Sequence, residues 1–252
     1  MMTNDTILKV TLAEILSKLG LFVHDKALQG LLYNFHYKYG YTNTRLRLKP
    51  LDANNEPLPW FTYPAIEYLE QLDLSHKSIF EWGSGNSSLY FAKRCRSIIS
   101  IESDKNWYEY VSQELLPNQK VIFTNEVNFV DAIDKLNMKY DVIIIDSLLR
   151  YECALKAVHY LNRGGLIILD NSDWHPSTST LLRKMNDLIE VDMHGFGPIN
   201  DYSWTTSLYL TREFNFSPKD DIQPTFSKAA IHQVSKYDSP SEISHNANES
   251  KF

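Results

Sequence analysis

Ser78-Ile-Phe-Glu-Trp-Gly-Ser-Gly-Asn-Ser87 is the stretch that decides the fold. Its apolar start predicts a short strand over residues 78–81, and residues 87–96 predict a helix with Ser87 as its N-cap. Glycines between a strand and a helix allow a sharp turn and let a ligand lie against the backbone. The first N–H groups of a helix have no partner within it. The stretch therefore predicts a ligand-binding turn between a strand and a helix.

Strands and helices alternate after this stretch. Apolar runs predict further strands at 97–101, 120–124, 140–146 and 166–169, and a final pair at 190–193 and 205–211. Helical patterns lie between them, at 104–116, 129–136, 150–161 and 177–189. Apolar strands joined by helices are typical of a parallel sheet that is covered on both faces. The pattern therefore predicts an α/β fold.

The sequence divides into three parts around this core. Residues 1–77 predict an N-terminal helical and aromatic-loop cap, in which an amphipathic helix at 6–19 is expected to cover the main domain or contact a partner. Residues 78–216 form the predicted ligand-binding domain. Residues 217–252 are polar and lack periodicity, which predicts a poorly packed C-terminal extension.

The composition argues against several functions. A net charge of -6 argues against a general nucleic-acid binder, which usually carries a basic face. The two cysteines, Cys95 and Cys153, have no metal-binding spacing and indicate reduced thiols. No apolar run approaches the roughly 20 residues of a membrane span, and charged residues interrupt the N-terminus where a signal peptide would be apolar. These features predict a cytoplasmic protein.

Acidic residues near the glycine turn indicate which ligand it binds. Glu81 lies two residues before Gly83, and Glu102 ends the second strand, where an acid can accept hydrogen bonds from ribose hydroxyls. Ser87 replaces the third glycine of a dinucleotide fingerprint. An acid at the turn would repel a pyrophosphate but favours a sulfonium and an ammonium group. The turn therefore favours a positively charged, phosphate-free nucleoside, with NAD as the alternative.

Four segments resemble the motifs of class I S-adenosylmethionine-dependent methyltransferases. They are Phe80-Glu-Trp-Gly-Ser-Gly-Asn-Ser87, Ser100-Ile-Glu102, Tyr140-Asp-Val-Ile-Ile-Ile-Asp146 and Arg163-Gly-Gly-Leu-Ile-Ile-Leu-Asp-Asn171. The resemblance covers residues 78–211 and leaves out the N-terminal part and the tail. It implies a Rossmann-like, seven-stranded, mostly parallel sheet with an antiparallel last strand, and S-adenosylmethionine as the cofactor.

The resemblance also implies roles for individual residues. Glu81, Gly83 and Gly85 are expected to line the methionine part of the cofactor, and Glu102 the ribose. Glu126, after the third strand, is a candidate for the adenine side, with a solvated surface acid as the alternative. The remaining residues of the expected cofactor set are Ser84, Asn86, Ser87, Ser103 and Asp146.

Polar residues at the ends of the fourth and fifth strands predict a metal site. Asp146 closes the fourth strand and Asp170-Asn171 closes the fifth, so the three side chains are expected at one edge of the sheet. Two carboxylates and an amide oxygen suit Mg²⁺ or Ca²⁺. The triplet resembles the metal site of catechol-type and related sugar O-methyltransferases. Alternatively, Asp146 contacts the cofactor and Asp170-Asn171 caps the following loop.

The acceptor is expected near the same edge. A hydroxyl acceptor needs a general base or a metal, and Asp146 and His175 are the catalytic candidates, although a histidine there is often only a wall residue. If the sixth strand is parallel and the seventh antiparallel, the loop at 194–204 lies on the cofactor side. The candidate acceptor-binding residues, each of which is alternatively part of the core, are Trp60, Tyr63, Trp174, Phe196, Tyr202 and Trp204.

These observations predict a methyltransferase that acts on a hydroxyl oxygen of a small-molecule or carbohydrate acceptor. No Asn-Pro-Pro-Tyr motif follows the fourth strand, which argues against DNA adenine and protein glutamine as acceptors. Neither a nucleic-acid partner nor a membrane is expected, and a homo-oligomer is left open. The alternatives are an NAD-dependent oxidoreductase and a non-catalytic cofactor-binding protein with the methyltransferase fold.

Overall fold

The computed structural model describes residues 26–185 and 187–235. Seven strands form one sheet: β1 (Ser78–Trp82), β2 (Ser97–Glu102), β3 (Gln119–Phe123), β4 (Tyr140–Ile145), β5 (Leu161–Asp170), β6 (Leu188–Gly195) and β7 (Trp204–Thr211). Their order is β3-β2-β1-β4-β5-β7-β6. β7 runs antiparallel to β5 and to β6, and the other pairs are parallel. The predicted seven-stranded sheet with an antiparallel last strand is confirmed.

Helices connect the strands and cover both faces of the sheet. The described α-helices are α1 (Lys26–Tyr33), α2 (Tyr41–Arg47), α3 (Tyr63–Glu70), α4 (Asn86–Ala92), α5 (Lys105–Val111), α6 (Glu126–Phe129), α7 (Arg150–Tyr160) and α8 (Pro176–Arg183). A π-helical segment lies at Asn34–Lys38, and 3₁₀ segments lie at Val130–Leu136 and Ser172–Trp174. None of the described helices combines the length and the apolar character needed to cross a membrane.

The central strands supply side chains to two hydrophobic cores. Successive residues of a strand point to opposite faces, so a strand that is apolar throughout packs on both sides. In β4, Val142 and Ile144 join the core under α3 and α4. Ile143 and Ile145 join the opposite core, which α7 covers. All four side chains are fully buried, which explains why β4 reads as a continuous apolar run.

Helix ends account for most of the differences from the predicted elements. α5 ends at Val111 rather than at Leu116. α8 ends at Arg183 rather than continuing to 189, because Leu188 already pairs with Thr211 in the β6–β7 hairpin. The helix predicted at 6–19 lies outside the described residues.

β5 begins earlier than its apolar pattern predicts. Leu161 pairs with Tyr140, and the register then shifts before Val142 pairs with Leu166. Gly164 and Gly165, which precede the predicted strand at 166–169, therefore lie within β5. A Cβ at Gly165 would lie 2.6 Å from a carbonyl oxygen of β4, so this close approach of two backbones requires glycine.

The described part of the tail is fastened to the end of α3. The carbonyl oxygen of Ser217 accepts a hydrogen bond at 2.8 Å from the backbone N–H of residue 73, and Lys219 N–H donates to the Gln71 carbonyl oxygen at 2.7 Å. Lys228 forms an ion pair with Glu70 at 3.1 Å. Most of residues 217–235 are exposed, but hydrogen bonds that the composition did not predict hold their backbone.

Gly197→Ala is expected to destabilise the fold. A Cβ at this position in the β6–β7 loop would overlap the carbonyl oxygen of Phe61 and the indole ring of Trp204. Overpacking of this kind costs about 1–3 kcal/mol, which lowers Tm by roughly 2–10 °C for a domain of this size. Thermal unfolding followed by circular dichroism measures the change.

Gly30→Ala is the matched control, because a Cβ at Gly30 has no neighbouring atom within 4 Å. Its Tm should stay unchanged or rise slightly, since alanine favours a helix. Equal Tm values for Gly197→Ala and the unsubstituted protein would contradict the packing of this loop against Phe61 and Trp204.

Candidate cofactor and acceptor site

The glycine turn lies where the strand order reverses. β1 has β2 on one side and β4 on the other, and ligands of open α/β sheets bind at such a point. Gly83 has a φ of 110°, and its N–H donates to the Ile101 carbonyl oxygen at 2.9 Å. A Cβ at Gly83 would lie 2.6 Å from the Asp146 carbonyl oxygen. Both the positive φ and this contact exclude a side chain from the turn.

Trp107 covers the second glycine of the turn. A Cβ at Gly85, whose φ is 151°, would lie 3.5 Å from the Trp107 indole. The indole Nε1 donates to the Ser84 carbonyl oxygen at 2.8 Å, and the ring stacks on Tyr110 with centroids 5.2 Å apart. Sequence analysis missed Trp107. The available signal was Asp104, whose side chain caps α5 and so fixes the helix that carries the indole.

The structure brings Glu102 to the turn. The Ser84 hydroxyl donates to Oε2 of Glu102 at 2.7 Å, and the N–H groups of Ser103 and Asp104 donate to Oε1 at 2.8 and 2.9 Å. An ionised carboxylate has about four acceptor positions, so one stays available for a ligand hydroxyl. Ser103 takes part through its backbone, while its side chain is half-buried.

Glu81 lies beneath the turn instead of on its ligand-facing side. Its side chain is 1% exposed, and its carboxylate accepts hydrogen bonds from the hydroxyls of Ser87, Ser88 and Ser100. Burial raises its pKa to about 7, although these three hydrogen bonds oppose the shift. The expectation that Glu81 lines the methionine part of a cofactor does not fit this position. The carboxylate instead holds the start of α4 to β2.

A cavity of about 440 Å³ opens beside the turn. Its wall includes the predicted residues Ser84, Gly85, Asn86, Ser87, Asp146 and Trp60. The side chain of Asn86 donates to the Pro50 carbonyl oxygen at 2.6 Å, which ties the N-terminal loop to the turn. Lys49 and Tyr110, which are hydrogen-bonded to each other, also line the cavity. Glu102 does not line it directly and reaches it through the Ser84 side chain.

Arg150 joins the ends of β4 and β5. Its Nη2 donates to Oδ1 of Asp146 at 2.9 Å and to Oδ1 of Asn171 at 3.0 Å. Its Nε donates to the Asp170 carbonyl oxygen at 3.2 Å, and its Nη1 donates to the Ser147 carbonyl oxygen. Arg150 was not among the residues selected from the sequence. Its signal was its position, four residues after Asp146 at the start of a helix.

The predicted magnesium triplet does not fit a metal ion. Asp146 and Asn171 lie at one edge of the sheet, as expected, but both side chains bind the guanidinium of Arg150. The Asp170 carboxylate turns toward β7, where its Oδ1 accepts from Trp204 Nε1 at 3.0 Å and from the Thr206 hydroxyl at 2.6 Å. No cluster of acidic, histidine or cysteine side chains suited to a metal occurs in residues 26–185 and 187–235. The prediction of Mg²⁺ is not supported.

Burial raises the pKa of both acids at the ends of β4 and β5, Asp146 and Asp170. Burial raises the pKa of Asp146, and the neighbouring charge of Arg150 opposes that shift. Burial also raises the pKa of Asp170 well above its usual range, and the negative charge of Asp146 adds to the effect. The hydrogen bonds from Trp204 and Thr206 to its carboxylate give Asp170 a structural role between β5 and β7.

Two polar candidates from the sequence remain, His175 and Glu126. His175 is half-buried just before α8, and burial followed by the charge of Arg150 lowers its pKa. Its imidazole is therefore neutral and able to accept a proton at neutral pH. Glu126 is exposed at the start of α6 and does not line the cavity beside the turn.

The aromatic candidates fall into three places. Trp60 is exposed on the wall of the cavity. Tyr63 is buried and packs on the N-terminal segment, where Phe35 contacts both its ring and that of Phe196. Trp174, Tyr202 and Trp204 form a row of aromatic rings where β5 ends and β7 begins. The ring centroids of neighbouring members are 6.2 Å apart. In this row Trp174 and Tyr202 are exposed, whereas Trp204 is core.

Solved structures show the same fold. A Staphylococcus aureus protein provisionally assigned as a caffeoyl-CoA O-methyltransferase has a TM-score of 0.52 and 16% identity, over 73% of this chain and 99% of its own. A Klebsiella pneumoniae protein provisionally assigned as an O-methyltransferase has a TM-score of 0.50 and 16% identity, over 80% and 96%. The O-methyltransferase TomG from Streptomyces achromogenes, solved with S-adenosylmethionine, has a TM-score of 0.49 and 15% identity, over 80% of this chain and 96% of its own.

The two structures with TM-scores of 0.52 and 0.50 show that the chain has the Rossmann-like fold of class I S-adenosylmethionine-dependent methyltransferases. At this level of identity the likeness concerns the fold, and one fold carries many acceptors. No protein-family model matches the sequence, and a search of curated proteins finds no match.

Glu81→Gln is expected to change how stability depends on pH. The pKa of Glu81 is raised to about 7 in the folded chain, so the folded state binds more protons than the unfolded state above about pH 4.5. The unsubstituted protein should therefore lose stability as pH rises from about 4.5 to 7, by up to roughly 3 kcal/mol. Glutamine carries no such charge, so the variant should be the more stable form at pH 8 and similar at pH 5.

Urea unfolding at the two pH values measures this difference. Glu109→Gln is the control, because Glu109 is exposed on α5. If Glu81→Gln lowered stability by the same amount at pH 5 and pH 8, the buried carboxylate would not be the titrating group.

Proposed function

We propose that this chain is an S-adenosylmethionine-dependent methyltransferase that acts on a hydroxyl oxygen of a small-molecule or carbohydrate acceptor. The observation that carries the proposal is the glycine turn at the strand reversal, with the Glu102 carboxylate bound to the Ser84 hydroxyl. The turn has a glycine cradle that a Cβ would fill. The fold of the chain is that of class I methyltransferases.

The residues around the turn fit such a cofactor. Glu102 and Ser84 would hold the ribose hydroxyls, and the backbone of Gly83 and Gly85 would lie against the methionine part. Asn86, Ser87 and Asp146 on the cavity wall would complete the contacts. When bound, S-adenosylmethionine supplies the electrophilic methyl carbon, and the protein supplies alignment. In this arrangement Glu81 supports the turn from below without touching the cofactor.

The exposed pair Trp174 and Tyr202 supports an organic acceptor with a flat face. Both rings lie near the end of β5, one strand from the end of β4, where Asp146 lines the cavity. Flat apolar surfaces of this size bind sugar rings and aromatic rings well. The net charge of -6 favours such an acceptor over nucleic acid. Trp60 would close the pocket from the N-terminal side.

His175 is the preferred candidate for the general base. Its lowered pKa keeps the imidazole neutral near pH 7, so its free nitrogen can accept a hydroxyl proton as the methyl group is transferred. Asp146 is less suited to this role because its charge is paired with Arg150 at 2.9 Å. A cytoplasmic location accords with this function and stays part of the proposal.

Glu102→Gln is expected to weaken binding of S-adenosylhomocysteine by roughly 10- to 100-fold, since hydrogen bonds to a charged group contribute about 1.5–3 kcal/mol. Isothermal titration calorimetry measures the affinity. Glu109→Gln, the same chemical change on an exposed site of α5, should bind as the unsubstituted protein does.

The same titration separates the alternatives. Binding of NAD but not of S-adenosylhomocysteine would overturn the proposal in favour of an oxidoreductase. Tight binding of S-adenosylhomocysteine without turnover on any hydroxylated acceptor would favour a non-catalytic binding protein.

Trp174→Ala and Tyr202→Ala are expected to raise the acceptor KM by roughly tenfold each, because an aromatic contact contributes about 0.5–1.5 kcal/mol beyond the area that it buries. Formation of S-adenosylhomocysteine from a panel of sugars and phenols measures the rates. Phe226→Ala in the tail, which removes another exposed ring, is the control. Unchanged acceptor KM values in both variants would exclude this pair as the acceptor surface.

A further inference from the structure

Arg150 sits inside a shell of oxygen atoms. Its guanidinium contacts Oδ1 of Asp146, Oδ1 of Asn171 and the carbonyl oxygens of Asp170 and Ser147. These four oxygens come from the ends of β4 and β5 and from the loop before α7. Carboxylate, amide and carbonyl oxygens are the ligands that hard divalent cations prefer. The shell is therefore the environment of a cation, and a side chain of this chain supplies the positive charge.

The guanidinium is built into this position. The Arg150 side chain is 13% exposed, and Leu149, with a φ of 58°, turns the chain so that Arg150 begins α7. A guanidinium has five N–H groups, of which these contacts use four. Its planar shape lets one group bridge two strands, which the point charge of a lysine cannot reproduce.

We propose that the guanidinium of Arg150 occupies the position of a divalent cation at this edge of the sheet, so that the site works without a metal ion. Arg150 is then a positioning residue that holds Asp146 and Asn171 beside the cofactor cavity. The part of this inference that concerns methyl transfer rests on the proposed function. The part that concerns metal binding stands on the four contacts alone.

Removal of the guanidinium should convert the shell into a metal site. In Arg150→Ala, the oxygens of Asp146, Asn171, Asp170 and Ser147 lose their partner and become free to bind a hard cation. In Arg150→Lys, a positive charge stays in the shell and repels the ion. The expected order of Mn²⁺ affinity is therefore Arg150→Ala first, with Arg150→Lys and the unsubstituted protein at least roughly tenfold weaker.

Titration of the full chain with Mn²⁺, followed by calorimetry and by the electron paramagnetic resonance of the free ion, tests this order. Adding Asp146→Asn to Arg150→Ala should abolish the gained binding. Circular dichroism confirms that each variant is folded, and Arg150→Met keeps the length of the side chain if alanine is not tolerated. The affinity for S-adenosylhomocysteine is measured in the same samples with EDTA and with Mn²⁺.

Each result decides the question. Tight Mn²⁺ binding by the unsubstituted protein that Asp146→Asn removes would overturn the proposal, because a metal would then occupy the shell beside Arg150. Absence of Mn²⁺ binding in Arg150→Ala and Arg150→Met would also overturn it, because the guanidinium would not be what fills the cation position. Failure of S-adenosylhomocysteine to bind would count against the proposed function and leave the metal result to be judged by itself.

Discussion

The close contact between Gly83 and the backbone of β4 is the constraint on which the candidate site depends. A side chain at Gly83 would meet the Asp146 carbonyl oxygen at 2.6 Å, so the turn and the end of β4 form a single packed unit. That contact sets the distance between the start of α4 and the residues at the ends of β4 and β5. It also explains why Asp146 belongs both to the cavity wall and to the Arg150 network.

Two buried acids near this contact show how the fold accommodates charge. Glu81 is surrounded by three serine hydroxyls, which offset part of the cost of removing a carboxylate from water. Asp170 is held by Trp204 and Thr206 across the β5–β7 pair. In both cases an acid that the sequence places near a ligand serves to join two elements of the scaffold.

The strands could be predicted well from the sequence because their signal is local. The apolar run of β4 and the turn at Gly83 each follow from a few neighbouring residues, and the antiparallel last strand followed from the motif resemblance. Side-chain direction could not be predicted in this way. Whether Glu81 faces a ligand or the interior depends on Ser100, which is 19 residues away and reaches it only through strand pairing.

Side-chain direction was equally hard to predict for the residues at the ends of β4 and β5. Asp146 and Asn171 follow the ends of β4 and β5, and both side chains bind Arg150, whose guanidinium spans the two strands, whereas the Asp170 carboxylate turns toward β7. Trp107 was missed for a similar reason, because its indole reaches the turn from α5, the helix that follows β2. The extent of β5 depends on a register shift against Tyr140, which no apolar pattern contains.

The order of the strands separates the proposed cofactor site from the proposed acceptor surface. The glycine turn and Glu102 belong to β1 and β2, whereas the exposed rings of Trp174 and Tyr202 lie beyond β5 and before β7, on the other half of the sheet. The exposed position Tyr202 can therefore be varied in a library while Gly197, which packs on Phe61 and Trp204, and the half around β1 and β2 stay unchanged. Under the proposed function, acceptor selectivity and cofactor binding would then change independently of each other.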